Sequence, residues 1–342
     1  MWFPSLLAKG LSRVLKTARE SGTIPLGESH RYVIFSDHHK GAASDADDFA
    51  PCKETYLAAL NYYFDQDYHL IILGDAEELW EESIKQVLKT YGDVFDAEKE
   101  FHAQNRYLKI FGNHDNNWAS KGQIAKHLHP IFPGLEVTEG LVFTYTGPNP
   151  ESSGELFLAH GHQGTLDSEL FPSISRFFVR TVWRTVQIVT RHSGTQPSKS
   201  DRLRGTHDTL MYEWAAEQGK LMLFAGHTHR EIWSSRTLLE QKLIEIRALE
   251  KASEFATIPD LDERLAKLRA EYKELQAREK LSHDTVKTRG CYFNDGCCSF
   301  KDGSVTAYEI QDGVLRLVRW MPNDQAPDVL DEGRLEHIFY AL

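Results

Sequence analysis

Five times before residue 231, an apolar run of four or five residues stops abruptly at a cluster of histidine, aspartate or asparagine. Tyr32 to Phe35 runs into Ser36-Asp37-His38-His39, and His69 to Leu73 into Gly74-Asp75-Ala76-Glu77-Glu78. Tyr107 to Phe111 runs into Gly112-Asn113-His114-Asp115, Glu155 to Ala159 into His160-Gly161-His162, and Leu221 to Ala225 into Gly226-His227-Thr228-His229. Helical spacing over Thr55 to Phe64 and about Glu77 to Tyr91 separates the earlier runs. Strands alternating with helices predict an α/β sheet with parallel pairs. In such sheets ligands gather beyond the carboxyl ends of the strands, which is where every polar block sits. Blocks tens of residues apart are therefore expected to meet.

The chemistry of those blocks narrows what they do together. Three of them hold paired histidines in a chain with 16 in all. Neutral imidazole is the commonest metal ligand. A mixed set of carboxylates, one amide and imidazoles suits Mn, Fe or Zn better than Ca or Mg alone. The formal net charge of −11 argues against a general nucleic-acid coat, which needs a basic surface. The four cysteines form no C-x-x-C pair and fit reduced thiols in a cytosolic protein. Met1 to Leu15 holds no uninterrupted apolar h-region, and no run is long enough to span a bilayer.

In order and type, the blocks Asp37-x-His39, Gly74-Asp75-x-x-Glu78, Gly112-Asn113-His114-Asp115, His160-Gly161-His162 and Gly226-His227-Thr228-His229 resemble the five signature blocks of the calcineurin-like metallophosphoesterase superfamily. The resemblance covers roughly residues 31–230 plus the closing strands. It implies an α/β sandwich of two β-sheets flanked by helices, with helical insertions. It also implies hydrolysis of a phosphodiester or diphosphate by a metal-activated water. By the same resemblance Asp37, His39 and His229 hold one divalent ion, Asn113, His160 and His227 hold a second, and Asp75 spans both. Manganese is the expected metal, with iron or zinc open. His114 resembles the family's leaving-group acid, and Glu78 stands where relatives carry the carboxylate that supports it. His162 is read as reaching substrate or metal, or as a supporting hydrogen bond. Asp115 is read as a cap on the segment after it, His38 as a surface residue on an extended segment, and Trp80 as packing. Asn294-Asp295-Gly296 resembles the Asn-x-Gly turn that follows the last block in relatives, and is equally a hairpin signal.

Outside the blocks, residues 1–28 read as an amphipathic arm, with Leu7, Leu11, Val14 and Leu15 on one face among basic residues. Such a helix docks on its domain or lies on a membrane surface. The core is placed at 29–235, with a helical cap inserted at 165–206. Arg176, Arg180 and Arg184 recur every fourth residue there and are candidates for substrate binding. From Ser173 to Thr206 the local charge is +6, from seven Lys or Arg and one Asp. That suits an anionic, partly apolar substrate or a lipid surface, or is simply a solvated face. In 236–283, Leu261, Leu265, Leu268, Tyr272 and Leu275 make a heptad seam in an expected antiparallel hairpin, either its own core or a homo-oligomer or protein contact. Residues 284–342 supply closing strands, a hairpin at Gln311-Asp312-Gly313 and a tail from 323 without an assigned role.

Gly74-Asp75-Ala76-Glu77-Glu78-Leu79-Trp80 is similar to the second block of the UDP-2,3-diacylglucosamine diphosphatases. Two departures stand against a full match: those enzymes commonly carry Arg where this chain has His114, and the 236–283 hairpin has no known counterpart in them. The expected partner is an anionic phosphorylated substrate, lipid- or nucleotide-linked. The expected location is the cytoplasm, with peripheral contact at the inner face of the membrane. A phosphomonoesterase, a nuclease and a non-catalytic scaffold are the alternatives.

Overall fold

The computed structural model describes residues 3–44, 47–163, 201–253, 260–278 and 289–342. Along the chain run α1 (Phe3–Ser21), β1 (Ile24–Leu26), β2 (Tyr32–Phe35), α2 (Lys53–Asp65) and β3 (His69–Leu73). Then come α3 (Ile84–Thr90), α4 (Gly92–Ala103), β4 (Tyr107–Ile110), β5 (Val137–Thr138), β6 (Gly140–Tyr145) and β7 (Gly154–Ala159). They are followed by α5 (Asp201–Ala216), β8 (Leu221–Ala225), β9 (Glu231–Trp233), β10 (Arg236–Thr237), α6 (Leu238–Ser253) and α7 (Leu261–Arg278). The chain closes with β11 (Tyr292–Asp295), β12 (Val305–Gln311), β13 (Val314–Trp320), β14 (Asp328–Arg334) and α8 (Leu335–Ala341).

Two seven-stranded mixed sheets result, ordered β1-β6-β7-β8-β11-β9-β10 and β14-β13-β12-β2-β3-β4-β5. The block-bearing strands are parallel neighbours: β2, β3 and β4 in one sheet, β7 and β8 in the other. Their continuous apolar composition follows from burial on both faces. Successive side chains of a strand point to opposite sides. Accordingly Ile34, Ile71 and Leu73 meet Leu156, Leu158, Met222 and Phe224 between the sheets. Val33, Phe35, Leu70 and Ile72 face the other way, onto Tyr56, Leu60 and Tyr63 of α2 and Phe95 of α4. Phe157, Leu221 and Leu223 face outward onto α1 and α5. This is the helix-flanked sandwich that the resemblance implies.

Several local expectations change. The N-terminal helix docks on the domain, one of the two placements expected of it. Leu7, Leu11, Val14 and Leu15 are buried against the sheet and α5, and β1 adds an edge strand beside β6. These four apolar side chains are therefore spent on the fold. Among the described residues, no helix is long and apolar enough to cross a membrane. The helix expected from Glu77 begins only at Ile84, where Ser83 Oγ accepts the Gln86 N–H. Glu77 to Trp80 instead form a loop tied down by Leu79 N–H to His114 O at 3.1 Å. The tail from 323 is ordered as β14 against β13, then α8. Asp312-Gly313 does form a two-residue hairpin between β12 and β13, with φ of 53° and 70°. Asn294-Asp295-Gly296 does not, because β11 pairs with β8 and β9 while β12 lies in the other sheet. Helices α6 and α7 run antiparallel, linked by Lys242–Glu271 at 3.1 Å and Arg269–Glu250 at 2.7 Å.

A buried ionic network lies beneath the second block. Lys40 Nζ is 2.8 Å from Glu98 Oε1 and 3.6 Å from Glu77 Oε1, while Lys109 Nζ is 3.0 Å from Glu77 Oε1. Trp118 Nε1 donates to Glu77 Oε2, and Tyr56 and Tyr107 hydroxyls donate to Glu98. All four charged side chains are buried. Removing one partner strands a desolvated charge, which costs several kcal/mol. Lys109→Met should therefore lower unfolding free energy in urea by about 3 kcal/mol. A loss under about 1 kcal/mol would show that the network does not need Lys109.

Candidate metal centre

The blocks leave their strands in an unusual backbone conformation. Asp37, His39, Asp75, His227 and His229 have φ of 52°, 52°, 49°, 69° and 55°. Left-handed residues other than glycine are uncommon, and each such conformation costs on the order of 1–3 kcal/mol. They persist because the blocks hold one another. Asp37 N–H donates to Gly74 O, His39 N–H to Asp75 O, and Gly226 N–H to His160 O, at 3.1, 2.9 and 3.0 Å. Side chains join in: Asp75 Oδ1 accepts the His114 N–H at 2.8 Å, and Asp37 Oδ2 accepts the His227 N–H at 2.9 Å. Such close approach explains two glycines. A Cβ on Gly112 would stand 2.1 Å from Asp75 Oδ1, and one on Gly226 would stand 2.2 Å from Asp37 Oδ2.

The turns converge the donor atoms. Asp37, His39 and His229 form one group, Asp75, His160 and His227 a second, and His39, Asp75 and His114 a third, each with ligand atoms within 4.8 Å of one another. Asp75 Oδ2 lies between groups, 3.1 Å from His160 Nε2 and 4.0 Å from His39 Nε2. His229 Nε2 is 3.1 Å from Asp37 Oδ1 and 3.2 Å from His39 Nε2. Asn113 Oδ1, His160 Nε2 and His227 Nε2 are buried and make no hydrogen bond. Buried polar atoms are rarely left so, and a pair of divalent cations would satisfy all three. The donor set therefore fits such a pair. His160 is also oriented as a ligand: its Nδ1 donates to Leu73 O at 2.9 Å, leaving Nε2 to face the carboxylates.

Carboxylates and imidazoles in this cluster shift one another's charge. Burial opposes ionisation of Asp37, but His229 and His160 outweigh it and hold its pKa well below the usual carboxylate range. Burial also opposes charge on His160, yet Asp75 and Asp37 lift its pKa to about 9. Beside the cluster, His114 Nδ1 is 2.6 Å from Glu78 Oε2, and burial of the imidazole is outweighed by that carboxylate, raising its pKa. Trp80 stacks on the His114 ring, with centroids 4.0 Å apart and planes 19° apart, and its Nε1 donates to Asn113 O at 2.7 Å. The same Glu78 oxygen is 3.4 Å from His39 Nδ1.

Not every expected residue lands where the sequence put it. His38 is fully buried, 4.6 Å from the Tyr56 ring and 5.7 Å from Phe49, because left-handed turns on either side end the extension that would have exposed it. Asp115 makes no cap to the following turn. Its carboxylate accepts Gly112 N–H at 2.6 Å and Ala76 N–H at 2.9 Å, clasping the second and third blocks. His162 is 4% exposed beside His160, and burial lowers its pKa to about 3. Arg176, Arg180 and Arg184 lie outside the described residues. Asn294 backs the last block, its Nδ2 donating to Gly226 O at 2.6 Å. Asp295, hidden in an apparent turn signal, reaches Asp37 through Ser36, whose Oγ is 2.7 Å from Asp295 Oδ1 and 2.5 Å from Asp37 Oδ2.

A comparison with curated proteins found no match. The family model for calcineurin-like phosphoesterase matches residues 30–231, more than half of the chain and a span holding all five blocks. The two sheets, the converging carboxylates and imidazoles, and this match agree: the chain belongs to the calcineurin-like phosphoesterases and is a metallophosphoesterase, a hydrolase with candidate groups for divalent metal.

Proposed function

We propose that the enzyme hydrolyses a phosphodiester or diphosphate bond at a binuclear centre. The observation that carries this reading is Asp75 Oδ2 set between two imidazole-rich groups, since one carboxylate can join two cations. Asp37, His39 and His229 would hold one ion, and Asn113, His160 and His227 the other. Manganese is the metal we favour, on the mixed oxygen and nitrogen donor set. When bound, two such ions supply an activated water and offset charge on a phosphoryl group. The protein's own part in bond cleavage falls to His114. Glu78 Oε2 faces its Nδ1, Trp80 stacks on the ring, and the side chain remains 20% exposed. It would act as general acid to the departing oxygen.

For substrate we favour a lipid- or nucleotide-linked diphosphate. Support comes from the +6 charge between Ser173 and Thr206 in a chain of net charge −11, and from the likeness of Gly74 to Trp80 to the diacylglucosamine diphosphatase block. The four buried free cysteines suit a reducing, cytoplasmic setting.

With Mn2+ and a phosphodiester whose leaving group is an unactivated alkyl alcohol, His114→Ala should keep its metal but lose roughly 10²–10⁴-fold in turnover. Asp75→Asn should lose metal and turnover together. Unchanged turnover of that ester in His114→Ala would remove the general-acid assignment, and a Mn2+-loaded wild type inert on both phosphodiesters and diphosphates would remove the proposal. Glu78→Gln takes away the charge that raises the His114 pKa. The alkaline fall in kcat should then begin at lower pH than in wild type; an unmoved alkaline limb would separate Glu78 from the acid.

A further inference from the structure

The turn carrying His227 and His229 is gripped from behind by side chains outside the five blocks. Asp208 of α5 is 1% exposed. It accepts hydrogen bonds from Thr228 Oγ1, Tyr292 OH and Arg230 Nη1, each at 2.9 Å. Thr228 stands between the two histidines and is itself fully buried. Asn294 Nδ2, which donates to Gly226 O, is also 3.1 Å from Thr228 Oγ1. One residue before Asp208, His207 is buried too, and its Nε2–H donates at 2.8 Å to Gly161 O, the carbonyl between His160 and His162. The rings of His207 and His227 are 5.0 Å apart.

We infer that Asp208 and His207 are positioning residues, setting from one helix the imidazole geometry of both metal-holding groups. This inference rests on the metal-centre reading above. A turn with φ of 69° at His227 and 55° at His229 relaxes toward ordinary backbone unless something holds it. A buried carboxylate accepting three bonds is a stiff anchor, because letting go of any of them leaves a donor unsatisfied. The bond to Thr228 places that anchor between a histidine of one group and a histidine of the other, so it acts on both. His207 touches the 160–162 turn and the ring of His227, all on the side of the group of Asp75, His160 and His227, so it acts on that group alone.

The test is isothermal titration of metal-stripped, full-length protein with MnCl2. Thr228→Val keeps the side-chain shape and leaves Asp208 bonded to Tyr292 and Arg230. Both binding steps should weaken together, each by roughly tenfold or more, the usual effect of removing an outer-shell partner. His207→Ala should weaken one step and spare the other. His207→Gln, whose amide can still donate to Gly161 O, should restore it. Thermal melts of the stripped variants should stay within about 3 °C of wild type. A wild type that takes up no Mn2+ overturns the metal-centre reading and this inference with it. If wild type binds two ions and Thr228→Val binds them as tightly, the inference alone is overturned. It is equally overturned if affinity and melting temperature fall in step, since the clamp would then serve the fold only.

Discussion

Left-handed backbone crowds Cβ against the following carbonyl oxygen, and the chain accepts that crowding at five donor residues. Asp37, His39, Asp75, His227 and His229 all leave their strands this way. The gain is directional. In extended form, residues two apart point the same way from one face of the sheet. The left-handed steps instead turn His227 and His229 into two neighbouring donor groups. The rest of the fold reads as support for these turns: ladders between adjacent blocks, glycines that admit a neighbour's carboxylate, and buried side chains behind each loop.

That support is polar where most cores are apolar. Asp115 clasps two blocks through backbone N–H groups, Asp208 anchors a third, and Asp295 reaches a fourth through Ser36. Behind them Lys40, Lys109, Glu77 and Glu98 neutralise one another in a fully buried cluster. Fixed polar groups of this kind give a phosphate-handling site its shape before substrate arrives, without reorganisation during the reaction.

The sandwich and the donor groups were legible because they rest on strong local signals: short apolar runs with abrupt polar ends, five times over. Nothing in the residue pattern gives the sign of φ, and His38, a surface residue if the segment stays extended, turns inward against Tyr56. Adjacent Glu77 and Glu78 look alike in sequence, yet one faces Lys109 in the core and the other His114 at the site. Asn294 to Gly296 has sound turn chemistry, with φ of 84° at Gly296, but the next strand joins the opposite sheet. Asp208 carried no signal at all, since a lone carboxylate in a helix pattern reads as solvated surface.

The donors come from both halves of the sandwich: β2, β3 and β4 deliver theirs from one sheet, β7 and β8 from the other. Cations held there would rivet the two layers, adding to the apolar seam a link that exists only while both layers are folded. Binding to the native state alone stabilises it in proportion to RT ln(1 + [M]/Kd). Metal supply would thus set not only how fast the protein works but how long each copy survives partial opening and proteolysis.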